Sequence, residues 1–337
     1  MMPIVAAASN QLVIPVSAVI PTADRPDDIT KCLDSLAGQS VKIKEIIIVD
    51  ASEGKETGRI CENISRGIRD SSGRELSSPN GYLSLIYLRS GVRGAASQRN
   101  EGVAAASQEF ILFMDDDVEL QQGCLAKLWE AITSDRSIGG ASSMIINQKY
   151  FTPGTVTRIF YRLVSGKRLE TFAGRCLGPV LTVLPEDRED LPEVLPVEWL
   201  NAGCTLYRRV ALPMPVFPDY FTGYSLGEDV NLSLTVAKKW KLVNARTARL
   251  FHNGRAGAHK SDPAELARMG LVNRHYIMTR TLGRTSLADY MKLAAAEAFG
   301  VISSARTGEG MRQLLAVVRG KLKGVAELLG QRDRRKG

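Results

Sequence analysis

The amino-acid sequence predicts an α/β protein: a doubly wound mixed sheet with helices on both faces, followed by a helical extension at the C-terminus. Short apolar runs alternate with segments of helical periodicity from residue 16 to about residue 120, the pattern of strand–helix–strand units. The runs "VSAVIP" (16–21), "KEIIIVD" (44–50) and "EFILFMD" (109–115) are nearly continuous in large apolar residues, as expected of strands covered on both faces. The last of them drives straight into three aspartates, "FILFMDDDVEL" at 110–120, and that juxtaposition needs a reason.

The first run ends at Pro21, and "TADRPDDITKCLDSLAGQS" follows it. Pro26, Asp27 and Asp28 mark a helix start: a proline in the first turn, then carboxylates at the positive end of the dipole. Ile29, Cys32, Leu33 and Leu36 recur at helical spacing, and Gly38 closes the element. After the strand at 44–50, "GYLSLIYLRS" (81–90) alternates as a third strand, and "GVRGAASQRNEGVAAAS" (91–107) opens an alanine-rich helix. Residues 150–200 read as loop-rich, with Pro153, Pro179, Pro185, Pro192 and Pro196. "PVEWLNAGCTLYRRVAL" is a strand and turn. "FTGYSLGEDVNLSLTVAKKW" is a glycine loop running into a helix whose apolar face carries Leu232, Val236 and Trp240. "KLVNARTARLFHNG" is a last short strand and loop.

Composition narrows the classes. Of 337 residues, 44% are hydrophobic and 24% charged, the balance of a globular chain able to bury a core. No apolar stretch is long enough for a membrane-spanning helix, and the N-terminus lacks the basic start of a signal peptide, so residues 1–13 read as a leader. Five scattered cysteines with no CxxC pair argue against zinc and against a disulfide framework, and fit reduced thiols in the cytoplasm. The net charge is +8, yet Thr281–Gly337 alone holds eleven Lys or Arg against five Asp or Glu. The basic excess therefore belongs to the tail, and no nucleic-acid partner is expected.

In a doubly wound sheet, ligands sit beyond the carboxyl ends of the strands. Asp24, Asp50, Arg93 and Asp115–Asp117 all follow expected strand ends and so come to one edge. On a continuing strand Asp115 and Asp117 share a side. Two carboxylates that close repel, so one takes a proton or a cation neutralises both. Hard divalent ions, Mg²⁺ or Mn²⁺, suit such ligands and keep substrate phosphates in their shell. A solvated turn or a helix cap would also account for the acidic run taken alone. Likewise Glu228 and Asp229 precede a helix and suit its dipole as well as they suit base catalysis.

The ordered set "VSAVIPTADRP…KEIIIVDAS…GVRGAASQRNEG…FILFMDDDVEL…GCTLYRR…GEDVNLSL…FHNG" resembles the family 2 glycosyltransferases of the GT-A fold over about residues 14–255. The resemblance implies a nucleotide-sugar donor, a divalent metal, inversion at the anomeric carbon, and a glycan or lipid-linked acceptor. Position by position, it implies that Pro21, Thr22, Asp24 and Arg25 hold the nucleotide and that Asp50 recognises its base. Arg93, Arg99 and Asn100 flank the nucleotide. Asp115 and Asp117 are the outer positions of a DXD motif with Asp116 between them; Asp117 lies on the metal and Asp115 reaches towards ribose and metal. His252 lies near the metal or diphosphate. Asp229 is the expected general base, with Glu228 the other candidate. Where the family often has an aromatic residue and a second aspartate, this chain has Ala23 and Ala51, which leaves the base open. The rival readings are a sugar nucleotidyltransferase, which should show a glycine-rich basic loop where this chain has "PTADRP", and a non-catalytic sugar-nucleotide-binding or membrane scaffold.

The expected organisation is a GT-A domain over 14–280, with a nucleotide half to about 120 and an acceptor half beyond, then a basic extension over 281–337. In the extension Met311, Leu314, Leu315, Val318, Leu322, Val325 and Leu329 share one helical face, with Arg312, Arg319, Lys323 and Glu327 off it. Such a face either packs on the domain or lies on an anionic membrane at its cytoplasmic side.

Overall fold

A computed structural model describes residues 12–68, 82–150, 153–166, 171–254, 262–305 and 308–333. Most of the expected leader, residues 1–11, lies outside them, as do Gly81 and the last four residues of the extension. The N-terminal half follows the expected alternation: β1 (Val13–Thr22), α1 (Pro26–Ala37), β2 (Lys42–Asp50), α2 (Glu56–Ile68), β3 (Tyr82–Arg89), α3 (Ala95–Ala105) and β4 (Phe110–Met114). β1 pairs in parallel with β2 on one side and β4 on the other, and β2 pairs in parallel with β3. Helix α2 is an addition to the sequence reading. Its Thr57, Ile60, Cys61 and Ile64 fall on one face, and Cys61 is buried in the core.

The second half is woven into the same sheet. β5 (Val118–Leu120), α4 (Cys124–Thr133) and β6 (Ile138–Ile145) precede α5 (Thr155–Ser165), the short pair β7 (Cys176–Leu177) and β8 (Leu181–Thr182), β9 (Val194–Val197) and β10 (Cys204–Arg208). β10 inserts antiparallel between β4 and β6, and the main path runs β3-β2-β1-β4-β10-β6-β11-β5. β11 (Lys241–His252) is longer than the sequence suggests. It pairs in parallel with β6 and antiparallel with β5 and β9. The stretch read as loop-rich thus contains a helix and three short strands.

Two apolar clusters fill the two faces. Ile14, Val16, Ala18 and Ile20 of β1 face one cluster with α1 and α4, while Val19 faces the other with α3 and α6 (Glu228–Val236). This is the two-residue alternation of a strand covered on both sides. β6 is wholly buried yet reads "IGGASSMI". A Cβ on Gly139 would lie 2.5 Å from Trp240, and one on Gly140 would lie 2.8 Å from the Tyr207 ring. Large neighbours took the space that β-branched residues usually fill.

The extension is docked, though not by the face the periodicity suggests. α7 (Pro263–Tyr276) continues through a π turn (Ile277–Thr281) into α8 (Leu287–Ser304), and α9 (Gly308–Asp333) crosses back over α7. The contact face of α9 carries Gly320 and Gly324. A Cβ on Gly320 would lie 2.0 Å from the Ala264 carbonyl oxygen, and one on Gly324 would lie 3.3 Å from that of Arg268. Arg268 pairs with Glu265 within α7 and with Glu327 across the join. Met311, Leu315, Val318, Leu322, Val325 and Leu329 point outwards, Leu315 being 84% exposed. The periodicity leaves open whether this stripe packs on the domain or lies on a membrane; in the structure the glycine face makes the contact with α7, because it lets two backbones approach.

Gly320→Ala should therefore destabilise the chain by about 1–3 kcal/mol through overpacking. Gly330→Ala, where a Cβ would meet nothing within 4 Å, should be neutral or slightly stabilising. Urea unfolding of the two variants, with limited proteolysis of the tail, checks the pair.

Candidate functional site

β4 stops at Met114, so Asp115–Asp117 follow the strand end, as expected, and form a turn into β5. The Asp115 amide donates to the Gly203 carbonyl (3.0 Å), and the Asn253 amide donates to the Asp117 carbonyl (2.8 Å). The turn is thus held between β10 and β11. The register of β11 against β5 sets His252 opposite Val118, directly beside the turn.

Asp115, Asp117 and His252 converge, with one ligand atom from each within 4.8 Å of the others. His252 Nε2 lies 3.0 Å from Asp117 Oδ1 and 4.0 Å from Asp115 Oδ2. Two carboxylates and an imidazole are oxygen and nitrogen donors of the kind that suit Mn²⁺ or Mg²⁺. The spacing fits a single ion, making this the candidate metal site.

Asp116 turns the other way. Its Oδ2 accepts from Thr22 Oγ1 (2.7 Å) and its Oδ1 from Arg25 Nη1 (3.1 Å), which also reaches Asp117 Oδ2 (3.2 Å). Burial pushes the Asp116 carboxyl up to about 6, against the pull of Thr22 and Arg25. Asp116 is therefore an internal anchor that ties the acidic turn to the end of β1. Pro21 lies one residue back in β1, paired with Val49.

Asp24 occupies the left-handed region (φ 56°), which aspartate tolerates better than most residues. Its amide donates to Ser52 Oγ (2.7 Å), its Oδ1 accepts from the Glu53 amide (2.7 Å), and its Oδ2 pairs with Arg93. Asp24 and Arg93, both partly exposed, form an ion pair beside the end of β1.

Arg99 is 2% exposed and lies between two carboxylates: Nη2 to Asp115 Oδ1 at 2.6 Å and Nη1 to Glu228 Oε1 at 3.0 Å. Its guanidinium also lies 5.8 Å from the centroid of the Phe217 ring. Phe217 is fixed by Asn100, whose amide donates to its carbonyl (2.7 Å) and accepts from its N–H (2.9 Å). Asn100 thus fixes the residue whose ring lies against Arg99. Arg99 joins the acidic turn to the start of α6.

Glu228 and Asp229 open α6 after Gly227, which adopts φ 90°. Asp229 Oδ1 accepts from the Val230 amide (2.8 Å), so the helix N-terminus holds it. Burial raises both carboxyls, and their mutual repulsion raises Glu228 further, while Arg99 opposes the shift. Glu228 is buried and occupied by Arg99, whereas Asp229 is half-buried.

Asp50 lies inside the protein. One oxygen accepts from the Ser52 amide (2.8 Å) and hydroxyl, the other from Tyr87 (2.7 Å) and Arg89 (3.3 Å), and no part of it is exposed. Several organising residues escaped the sequence reading. Gln98 donates to the carbonyls of Thr22 (2.9 Å) and Val49 (2.7 Å), bracing the ends of β1 and β2. Ser52, Tyr87 and Arg89 enclose Asp50, and Asn201 lines a small void beside Arg99 and Asp229. The only local signal for Gln98 was its place next to Arg99 at the start of α3.

With this geometry established, the profile of glycosyl transferase family 2 matches residues 17–191. The chain belongs to that family. Among curated proteins, a Campylobacter jejuni GalNAc(5)-diNAcBac-PP-undecaprenol beta-1,3-glucosyltransferase is 26% identical over 114 residues, 34% of this chain and 33% of its own length. The uncharacterized Bacillus subtilis glycosyltransferase EpsJ is 30% identical over 115 residues, 34% of this chain and 29% of its own. The match thus spans about a third of each relative. Among solved structures, a mannosyltransferase from Pyrobaculum calidifontis, in complex with GDP-Man and Mn²⁺, aligns with a TM-score of 0.55 at 13% identity, covering 92% of this chain and 87% of its own. GalNAc-T7 with UDP, GalNAc and Mn²⁺ aligns at 0.50 and 14% identity, covering 86% of this chain and 55% of its own. The likeness establishes the GT-A fold of this family 2 chain.

Replacing Arg99 by leucine would strand the buried Glu228 carboxylate and the half-buried Asp115 carboxylate. The expected loss is about 3–5 kcal/mol. Arg99→Lys, which keeps the charge but not the fork, should lose less; equilibrium urea unfolding of both variants reads the difference.

Proposed function

We propose that the protein transfers a sugar from a nucleoside-diphosphate donor to a hydroxyl of a glycan or lipid-linked acceptor, with inversion at the anomeric carbon. The observation that carries this reading is the convergence of Asp115, Asp117 and His252 at the carboxyl end of β4, linked through Arg99 to Glu228 and Asp229. Family membership supports it, as do donor complexes of proteins sharing the fold. The printed activity of the Campylobacter relative favours a lipid-linked acceptor.

Asp115, Asp117 and His252 would hold Mn²⁺ or Mg²⁺. Such an ion, when bound, neutralises the charge that builds on the diphosphate as its bond to the sugar breaks. Arg25 and Arg93 add fixed positive charge on the same side of the cleft, where diphosphate oxygens need it. Thr22 and Gln98 keep the ends of β1 and β2 in place under the nucleotide.

On the acceptor side, Asp229 takes the hydroxyl proton. The acceptor oxygen then bonds to the anomeric carbon from the face opposite the leaving group, and the electron pair of the broken bond departs with the diphosphate. Asp229 is favoured over Glu228 because Arg99 occupies and shields Glu228. Burial raises the Asp229 carboxyl, making its carboxylate a stronger base than one in water. Glu228 and Arg99 are then positioning residues that hold α6 against the acidic turn. The outward stripe of α9, with Arg312, Arg319 and Lys323 on the same helix, supports peripheral contact with an anionic membrane at the cytoplasmic face.

Thermal shift with UDP-, GDP- and dTDP-sugars, with and without Mn²⁺, tests the donor. One nucleotide sugar should raise the melting temperature by roughly 5 °C near a hundredfold excess over Kd, and only with metal. Asp117→Ala should abolish that rise; a rise that survives both metal removal and this variant overturns the metal assignment. Asp229→Asn should keep the donor shift and slow transfer about 10²–10⁴-fold. Loss of donor binding in Asp229→Asn would remove Asp229 from the role of base.

A further inference from the structure

The structure assigns a second binding site to this chain: a cavity of about 950 Å³ between α7, the π turn, α8 and α9, which we propose takes the hydrocarbon chain of an acceptor with an anionic head. This rests on the transfer reading above only for the word acceptor. The walls are Leu271, Tyr276, Leu293, Ala294, Val325 and Leu328. The volume lies at the upper end of small-molecule pockets, roughly 300–1,000 Å³, whose linings are mostly apolar with a few placed polar groups.

The charges around it select the head. Glu297 reaches the cavity but is paired with both Arg274 and Lys321, so it presents no uncompensated negative charge. Burial and the nearby Arg280 lower the pKa of His275, which keeps that ring neutral. Arg280 is exposed, lines the cavity and makes no ion pair among the described residues. A single available guanidinium beside an apolar chamber suits a phosphate or carboxylate on a long alkyl or isoprenoid chain.

Access and coupling follow from two shared walls. Val325 and Leu329 belong both to the lining and to the outward stripe of α9, so the cavity opens onto a continuous apolar surface. On its inner side, Tyr220 stacks on Tyr276 with centroids 4.0 Å apart, and Phe221 begins the loop that ends at Glu228. Asn273 donates to the Leu226 carbonyl (2.8 Å), and Thr281 Oγ1 lies 2.5 Å from Asn231 Oδ1. α7 and the π turn therefore carry the cavity on one side and the carboxylate loop on the other.

Isothermal titration of the full chain with dodecyl phosphate, below its micelle concentration and without donor or metal, tests the site independently of transfer. One-to-one binding is expected, with none for inorganic phosphate. Ala294→Trp, which fills the cavity from an exposed helix position, should weaken binding at least about tenfold, equivalent to about 1.4 kcal/mol. Thr279→Trp is a second filling variant should the first fail to fold. Arg280→Gln should weaken dodecyl phosphate severalfold and leave dodecyl maltoside unchanged. The double variant Leu315→Ser, Leu322→Ser, on the outer stripe, should bind as the parent does. Absence of saturable binding, full binding in the folded tryptophan variants, or loss of binding in the stripe variant would overturn the proposal.

Discussion

The arrangement depends on one constraint: carboxylates crowd a single end of the sheet, and each needs a partner. Asp115, Asp116, Asp117, Glu228 and Asp229 come from only two turns, and in a low-dielectric setting their repulsion would open the fold. Arg25, Arg99, His252 and the helix end at Val230 answer them one by one. The partners lie on the first loop, on α3, on β11 and on α6. Charge pairing therefore fixes how these four elements meet as firmly as apolar packing does.

That pairing also sorts the acidic groups by work. Carboxylates already satisfied inside the protein, Asp50 and Asp116, brace strand ends. Asp115 and Asp117, each partly bonded within the protein, can still present oxygens to an ion. Asp229 sits where a raised carboxyl has an approach from solvent. Residue type alone does not distinguish these roles, since all are aspartates. The neighbours decide it.

Much of this was legible in the chain. The continuous apolar runs of β1, β2 and β4, the proline and carboxylates opening α1, and the glycines before Glu228 are local signals with local causes. The acidic turn and the pair at 228–229 stood out because charge after a buried run needs an explanation. What escaped was set by distant partners. Asp50 is enclosed by Tyr87 and Arg89, which lie far along the chain, and Asn100 serves Phe217. β6 hid because Trp240 and Tyr207 demanded glycines where a strand normally shows bulk. The docking of α9 stayed open because periodicity reports an apolar face without saying whether a glycine face beside it makes the closer contact.

The insertion of β10 between β4 and β6 has a mechanical meaning. Hydrogen bonds run from β3 through β2, β1, β4 and β10 to β6, and the final strands β11 and β5 close the ladder. Two lobes stitched into one sheet have no seam about which to swing. Whatever motion admits one substrate and releases another must be borne by the connecting segments above the sheet's edge, foremost the stretch from Thr222 to Gly227, with its three left-handed residues.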